Sequence, residues 1–171
     1  MAWLVRQVHP SDFPEVHRVV ASAFGREDEA ALVERLRVSD AWLPALALVA
    51  RLPGEPHGPT VGFAALSRIT VGGRPALALA PVAVAPGWQQ QGAGSALVRA
   101  GIGRAARRHE RLILVLGDPR YYGRFGFVAA LPIGIHGPYD EAGAAFQALV
   151  LPGGDPIPGG LAVYPDLFAG L

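Results

Sequence analysis

A turn with two glycines lies between a strand-like run and a helical run in the middle of the chain. It extends from Gln89 to Ser95 and contains Gly92 and Gly94. The first N–H groups of a helix have no partner inside the helix and lie at the positive end of its dipole, so they attract anions. A glycine lets a phosphate group reach the backbone without meeting a side chain. The turn therefore predicts a phosphate-bearing ligand; the simpler alternative is that the glycines only form a tight turn.

Two common nucleotide-binding motifs do not fit this turn. A Walker loop needs Lys and then Ser or Thr after its second glycine, whereas Ser95 and Ala96 follow Gly94. The dinucleotide motif Gly-x-Gly-x-x-Gly needs a third glycine where the chain has Leu97. Both nucleotide alternatives are therefore disfavoured.

A second segment, rich in aromatic residues, follows the next strand-like run. It reads Tyr121-Tyr122-Gly123-Arg124-Phe125-Gly126-Phe127. Part of this cluster must pack a short helix against a sheet. A tyrosine hydroxyl in such a segment can also donate a proton to a departing group.

Together the two segments resemble the GNAT superfamily of acyltransferases. Its signature Gln/Arg-x-x-Gly-x-Gly/Ala is met by Gln89, Gly92 and Gly94, and its signature Tyr-x-x-x-Gly-Phe by Tyr122, Gly126 and Phe127. The string from Leu116 to Phe127 is similar to that of a bacterial branch of predicted N-acetyltransferases, which has no single agreed substrate. The resemblance extends weakly from Trp3 to Leu131 and again near Tyr164.

The resemblance implies a fold, a cosubstrate and a binding site. The fold is α+β, with a mixed, mostly antiparallel central sheet whose strands splay around the coenzyme A site and are flanked by helices. The cosubstrate is acetyl-CoA, without a metal. The turn would hold the pyrophosphate, and the preceding strand would pair with the pantetheine arm. The implied binding residues are Val82, Ala83, Val84, Gln89, Gln90, Gln91, Gly92, Ala93, Gly94, Ser95 and Tyr122. An arginine could meet the 3′-phosphate, and the alternatives are Arg99, Arg104, Arg107, Arg108, Arg120 and Arg124. We select Arg124 as the candidate; the simpler alternative is a solvated surface residue.

The resemblance also implies two catalytic groups. Amine attack on a thioester expels a thiolate, and Tyr122 occupies the position of the usual general acid. The backbone N–H of Val82 is the candidate donor to the oxyanion. Pro81 cannot donate a ladder hydrogen bond, so it fits the bulge that such a splayed strand needs.

A general base cannot be assigned from the sequence. The strand Ala76 to Val84 contains no Asp or Glu, although many relatives carry a base there. Two groups of residues are alternatives, and we expect each of them to be a solvated surface residue. They are His136, Asp140 and Glu141 in one group, and Glu27, Asp28 and Glu29 in the other.

Composition excludes several classes of protein. Fifteen Lys and Arg against 14 Asp and Glu give a charge of +1, so nucleic acid is a poor partner. The chain has no cysteine, which excludes disulfides and a thiolate nucleophile, and its histidines are too scattered for a zinc site. The N-terminal residues lack the pattern of a secretory signal, so we expect a cytoplasmic protein without a membrane span. A charged fraction of 17%, below the ~25% of typical domains, suggests a possible homodimer.

The pattern of apolar residues predicts one domain over residues 1–171, with an irregular part rich in Pro and Gly from about residue 131. Strands are expected over Trp3 to Val8, Ala45 to Arg51, Val61 to Val71, Pro75 to Val84, Leu112 to Leu116 and about Ala145 to Leu151. Helices are expected after a cap at Asp12 and over Glu27 to Val38, Ala93 to His109 and Pro119 to Arg124. Gly72 and Gly73 predict a tight hairpin.

The resemblance to the GNAT superfamily implies an N-acetyltransferase that transfers an acetyl group from acetyl-CoA directly to an amine. The acceptor is expected to lie between the first two helices and the loop from Leu131 to Glu141. The apolar residues of these segments suggest a partly apolar acceptor; they are Trp42, Leu43, Pro44, Ile133, Ile135 and Tyr139. Two alternatives remain open. One is a non-catalytic acyl-CoA-binding regulatory module, and the other is a transferase that uses a different acyl-CoA.

Overall fold

The computed structural model describes residues 2–170. Nine strands and four helices alternate along this part of the chain. The strands are β1 (Leu4–Gln7), β2 (Ala47–Arg51), β3 (Thr60–Val71), β4 (Arg74–Val84), β5 (Leu112–Leu116), β6 (Val128–Ala129), β7 (Ile135–His136), β8 (Phe146–Val150) and β9 (Gly160–Val163). The helices are α1 (Phe13–Phe24), α2 (Asp28–Arg37), α3 (Ala93–Arg107) and α4 (Pro119–Tyr122).

The strands form one mixed sheet in the order β1-β2-β3-β4-β5-β8-β6, and β9 joins β3 to β7. Neighbouring strands run antiparallel, except for the pairs β4–β5 and β7–β9. Helix α1 packs on one face with Val49 and Phe63, and α3 packs on the other with Leu48 and Leu66. Because both faces are covered, every residue of β2 is buried. The predicted α+β class and mostly antiparallel sheet are confirmed.

A β-bulge interrupts the pairing of β3 and β4. The register passes from Ala64 opposite Val82 to Leu66 opposite Leu79, so two residues of β4, Ala80 and Pro81, face one residue of β3. The extra residue shifts the alternation of side chains. Val82 therefore joins Leu79 on the α3 face of the sheet, whereas Ala83 lies on the α1 face.

Strands β4 and β5 separate directly beside this bulge. Their parallel pairing comprises Leu77 with Ile113 and Ala78 with Leu114, and none is made farther along β4. The bulge bends β4, and the diverging strands leave a cleft between their carboxyl ends. The splayed strands expected from the sequence are thus present, and the cleft lies at the end of β5 where α4 begins.

All six predicted strands and all four predicted helices are present, with ends within one or two residues of those expected. The hairpin at Gly72 and Gly73 has positive φ at both residues, as a type I′ turn requires. Three short strands, β6, β7 and β9, were not predicted. Strand β9 lies in the final stretch that we expected to be irregular, and it pairs with β3.

Asp12 does not cap α1 as predicted. Its carboxylate, with 4% of the side chain exposed, accepts hydrogen bonds from Arg6 at 2.7 and 2.9 Å, from Arg51 at 2.8 Å and from the backbone N–H of His9 at 2.6 Å. These bonds join β1 and β2 to the start of α1. The hydrogen bond from Arg6 is the main cause that lowers the pKa of Asp12 to about 2, against the opposing effect of burial.

We expect Asp12→Asn to destabilise the protein by about 3 kcal/mol, since it leaves Arg51 buried beside a neutral amide. The wild type should also lose stability as pH falls from about 4 toward 2, because the depressed folded pKa makes the ionised Asp12 stabilising only above that window. Urea unfolding at pH 7 and pH 3 measures both effects. The exposed Asp40 is the control: Asp40→Asn should change the free energy of unfolding by less than about 0.5 kcal/mol.

Candidate active site

The glycine turn leads directly into α3, as predicted, and its geometry leaves backbone donors available. Gly92 takes a left-handed conformation, with φ of 93°, and no side chain caps the helix. The first helical hydrogen bond is made by Ala96 to the carbonyl of Gly92 at 3.0 Å. The N–H groups of Ala93, Gly94 and Ser95 therefore have no acceptor within the helix and can hold an anion.

The predicted glutamines hold the turn rather than offer their side chains to a ligand. Gln89 donates from Nε2 to the carbonyl of Val84 at 3.0 Å, and Gln91 donates to the carbonyl of Gly87 at 3.3 Å. Gln90 has a positive φ of 61° and is exposed. The side chains of Gln89 and Gln91 are therefore engaged within the turn, so these two residues can offer only backbone groups to an anion.

Trp3 supports the turn from the N-terminal segment, which the sequence analysis did not foresee. Its indole Nε1 donates to the carbonyl of Gln91 at 2.8 Å, and its ring meets the ring of Trp88 edge-on at 6.1 Å. This hydrogen bond orients the carbonyl of Gln91 toward Trp3. No local sequence signal indicates a contact between residues 88 positions apart.

The hydrogen-bond pattern of β4 determines which of its backbone groups face the cleft. Ala85 donates its N–H to the carbonyl of Val61 at 2.8 Å, and backbone groups alternate in direction along an antiparallel strand. Ala83 consequently bonds to Phe63 on β3, whereas Val82 and Val84 direct their N–H and carbonyl groups away from β3. Of the three residues implied to pair with pantetheine, Val82 and Val84 have this orientation and Ala83 does not.

The two tyrosines of α4 point to different parts of the site. Tyr122 lines the cleft with Pro81 and Val82, and its ring lies so close to Gly117 that a Cβ there would overlap it. Tyr121 lies instead beside the turn, with its hydroxyl 3.5 Å from Oγ of Ser95. Of the two tyrosines, Tyr122 is thus the one whose side chain lines the cleft.

Burial, aided by the neighbouring Tyr121, raises the pKa of Tyr122 to about 12. Its hydroxyl therefore keeps its proton throughout the neutral range. The hydroxyl is thus available near pH 7 as a hydrogen-bond or proton donor and not as a base.

Arg124 lies on the exposed side of the tyrosine segment. Its guanidinium group stacks on the ring of Tyr121 at 4.4 Å, and its Nε donates to the carbonyl of that residue at 3.2 Å. Arg99 approaches the ring of Phe125 at 5.2 Å from α3. Both guanidinium groups therefore lie against aromatic rings of the segment from Tyr121 to Phe127.

The cleft opens into a cavity of about 300 Å³ between α1, α2 and the ends of β4 and β5. Of the side chains expected around an acceptor, Tyr139 lines this cavity. Trp42 does not; it packs 6.0 Å from the ring of Phe13, and Ile135 is buried in the core. The apolar character comes largely from Phe24, Leu32, Leu79, Tyr164 and Phe168, which the sequence analysis did not select.

Glu29 also lines the cavity, and the expectation that it would be a solvated surface residue is wrong. Only 8% of its side chain is exposed, against 73% for Glu27 and 59% for Asp28. Asp140 accepts a hydrogen bond from the backbone N–H of Gly137 at 2.8 Å, away from the cavity. Burial of Glu29 follows from its place in the first turn of α2, on the side that faces the sheet.

Proteins of similar sequence show the family to which this chain belongs. Residues 13–127 match the acetyltransferase (GNAT) family. The chain is 37% identical over 121 residues to the uncharacterized N-acetyltransferase YjhQ of Escherichia coli K12, a match that covers 68% of this chain and 65% of that protein. It is 32% identical to the uncharacterized N-acetyltransferase YhbS of the same strain, over 84% of both chains. The chain therefore belongs to the GNAT family of N-acetyltransferases.

Solved structures agree with this assignment. A GNAT family N-acetyltransferase (YhbS) from Escherichia coli in complex with CoA superposes with a TM-score of 0.86 at 28% identity, covering 97% of this chain and 91% of that chain. A GNAT family acetyltransferase from Brucella melitensis in complex with acetyl-CoA superposes with a TM-score of 0.78 at 29% identity over 98% of both chains.

Two further properties concern the part of the chain that the structure describes. Within residues 2–170, no helix combines the length and apolar character that a membrane crossing requires. In the same range, no cluster of three or more His, Asp or Glu side chains is arranged to hold a metal ion.

We expect Trp3→Phe to weaken CoA binding about 2- to 10-fold, because one net hydrogen bond to the Gln91 carbonyl is lost while the aromatic ring remains. Isothermal titration calorimetry with CoA measures the change. Trp42→Phe is the control: the Trp42 indole packs on Phe13 and not on the turn, so this variant should leave the Kd for CoA unchanged. Equal affinities for all three proteins would show that the Trp3 bond does not organise the turn.

Proposed function

We propose that the protein is an acetyl-CoA-dependent N-acetyltransferase that transfers the acetyl group directly to an amine held in the cleft between β4 and β5. The observation that carries the proposal is the arrangement of three features. Val82, with its outward-facing backbone, and Tyr122, with its protonated hydroxyl, line the cleft, and the available N–H groups at the start of α3 lie beside Tyr121, the neighbour of Tyr122.

The binding half of the proposal assigns CoA to the turn and to β4. The N–H groups of Ala93 to Ser95 would hold the pyrophosphate, with Gly92 and Gly94 leaving room for it. Val82 and Val84 would pair with the pantetheine arm in place of the strand that is missing there. Arg124 is proposed to meet the 3′-phosphate. The CoA and acetyl-CoA complexes of the two similar proteins support this part.

The catalytic half assigns one task to each of two groups. The amine first loses its ammonium proton to water, and its nitrogen then forms a bond to the thioester carbon while the N–H of Val82 donates to the oxygen that becomes negative. The nitrogen, now positively charged, releases one N–H proton to water and becomes the amide nitrogen. As the carbon–sulfur bond breaks, Tyr122 gives its proton to the departing sulfur. The position of Tyr122 in the cleft supports this role, and burial keeps its hydroxyl protonated at neutral pH, although the raised pKa makes it a weaker acid than a tyrosine in water.

We expect acetyl-CoA to raise the melting temperature of the protein, since a ligand at 100 times its Kd stabilises the native state by ~2.7 kcal/mol. Gly94→Asp should abolish the shift, because it adds a negative charge and a side chain beside the Tyr121 hydroxyl. Gly103→Asp places the same charge farther along α3 and should keep the shift. Differential scanning fluorimetry measures all three, and a full shift in Gly94→Asp would contradict the assignment of the turn.

We expect Tyr122→Phe to bind CoA normally and to slow acetyl transfer by about 10²- to 10⁴-fold, the usual effect of losing a general acid. Tyr121→Phe is the matched control: it removes a hydroxyl beside Ser95, so it can weaken CoA binding without slowing the chemical step. Single-turnover release of free thiol separates the two effects. Equal single-turnover rates in wild type and Tyr122→Phe would exclude Tyr122 as the acid.

The same assay distinguishes the two alternative functions. Binding of CoA without thiol release for any amine favours a regulatory acyl-CoA-binding module. Faster release from a longer acyl-CoA than from acetyl-CoA favours a transferase for another acyl group. The apolar walls of the cavity make this comparison necessary, because they can accept an acyl chain as well as an acceptor.

A further inference from the structure

The cavity beyond Tyr122 has walls of a distinct chemical character. Three aromatic side chains form one wall: the rings of Tyr139 and Tyr164 lie 5.2 Å apart, and those of Tyr164 and Phe168 lie 5.6 Å apart. Leu32 and Leu79 add aliphatic surface. A volume of about 300 Å³ is at the lower end of the range for small-molecule sites, so the occupant is a small molecule with an apolar body.

One anionic group faces this apolar space. Among the described residues that line the cavity, Glu29 is the only carboxylate and Arg26 the only cation. The hydroxyls of Tyr139 and Tyr164 remain neutral near pH 7, since burial raises the pKa of both. A buried carboxylate at the edge of aromatic rings is suited to an ammonium group, which the carboxylate and the ring faces both attract.

Glu29 pairs with Arg26 but can still accept a further hydrogen bond. The Nε of Arg26 lies 2.9 and 3.1 Å from the two carboxylate oxygens of Glu29, and one terminal nitrogen of Arg26 also donates to Glu29. The other terminal nitrogen of Arg26 lies 3.7 Å from the carboxylate of Asp28. Each carboxylate oxygen has two lone pairs, so Glu29 retains acceptor capacity. The guanidinium already has the carboxylates of Glu29 and Asp28 beside it, so a carboxylate on the acceptor would bring a third negative charge to one positive charge.

We infer that the acceptor is a small primary amine with an aromatic or aliphatic body and no carboxylate beside the amine, whose ammonium group is held by Glu29 while its body lies against Tyr139, Tyr164 and Phe168. The inference deepens the proposed acetyl transfer and rests on it. Glu29 then acts as a specificity-determining residue that recognises the acceptor, and the bound ammonium passes one proton to water before its nitrogen attacks the thioester.

The test uses phenethylamine as a probe and measures binding separately from turnover. Calorimetric titration into the CoA-saturated protein should give an affinity about 10- to 100-fold weaker for Glu29→Gln than for wild type, the range for a hydrogen bond to a charged group. Glu27→Gln is the control, because that side chain is exposed and bonds to His17. Phenethyl alcohol should bind wild type and Glu29→Gln equally, since it has no ammonium group. Phenylalanine, which adds a carboxylate, should bind wild type at least 10-fold more weakly than phenethylamine.

The kinetic readout is the split between KM and kcat. In thiol-release assays Glu29→Gln should raise the KM for phenethylamine about 10- to 100-fold and change kcat much less. The variant should fold normally, because 55% of the Arg26 side chain is exposed and water can solvate it. An unchanged CoA-dependent melting shift checks this.

The results separate this inference from the proposed function. Binding of phenethylamine that depends on Glu29 supports the inference even if no thiol is released, a result that would refute the proposed acetyl transfer instead. Turnover that is unaffected by Glu29→Gln overturns the inference and leaves the proposed function intact. Failure of wild type to bind phenethylamine, or binding of phenylalanine with equal affinity, also overturns it.

Discussion

The separation of β4 from β5 is the constraint on which the rest of the site depends. Backbone pairing between the strands ends at Ala78 and Leu114, and the bulge at Pro81 bends β4 away from its neighbour. Backbone groups that a continuous sheet would consume remain available at Val82. Without the bulge, residues beyond it would exchange faces of the sheet, and Val82 would no longer lie on the α3 side.

Tyr121 connects helix α3, which follows the glycine turn, with the rest of helix α4 at the cleft. Its hydroxyl lies beside Ser95 and Gly94 at the start of α3, and its ring packs edge-on against Tyr122 at 4.9 Å in α4. Packed side chains therefore connect the turn to the cleft. Trp3 adds a second restraint from the N-terminal segment, so the turn is held between two distant parts of the chain. Precise placement of donors matters because an electrostatic site works only when its groups are already oriented.

Much of this arrangement was predictable from the sequence because local patterns encode it. The glycines of the turn, the proline of β4 and the spacing from Tyr122 to Gly126 each act within a few residues. The two-residue strands β6 and β7 and the four-residue β9 were missed, because they exist only through pairing with distant partners. Glu29 was misjudged for a related reason: helix periodicity shows that a residue can face the sheet, and only the packed structure shows what faces it there.

The placement of Glu29 also explains how a carboxylate can reach the cleft although β4 contributes none. Ala78 and Ala80 both line the cavity, and their small side chains leave space between the strand and α2. A longer side chain on α2 can extend into that space. Glu29 occupies it in company with Arg26, which offsets the cost of burying its charge. The sheet thus supplies backbone donors and room, and α2 supplies the charge, so the features proposed to bind the coenzyme and those proposed to select the acceptor lie on different elements of the fold.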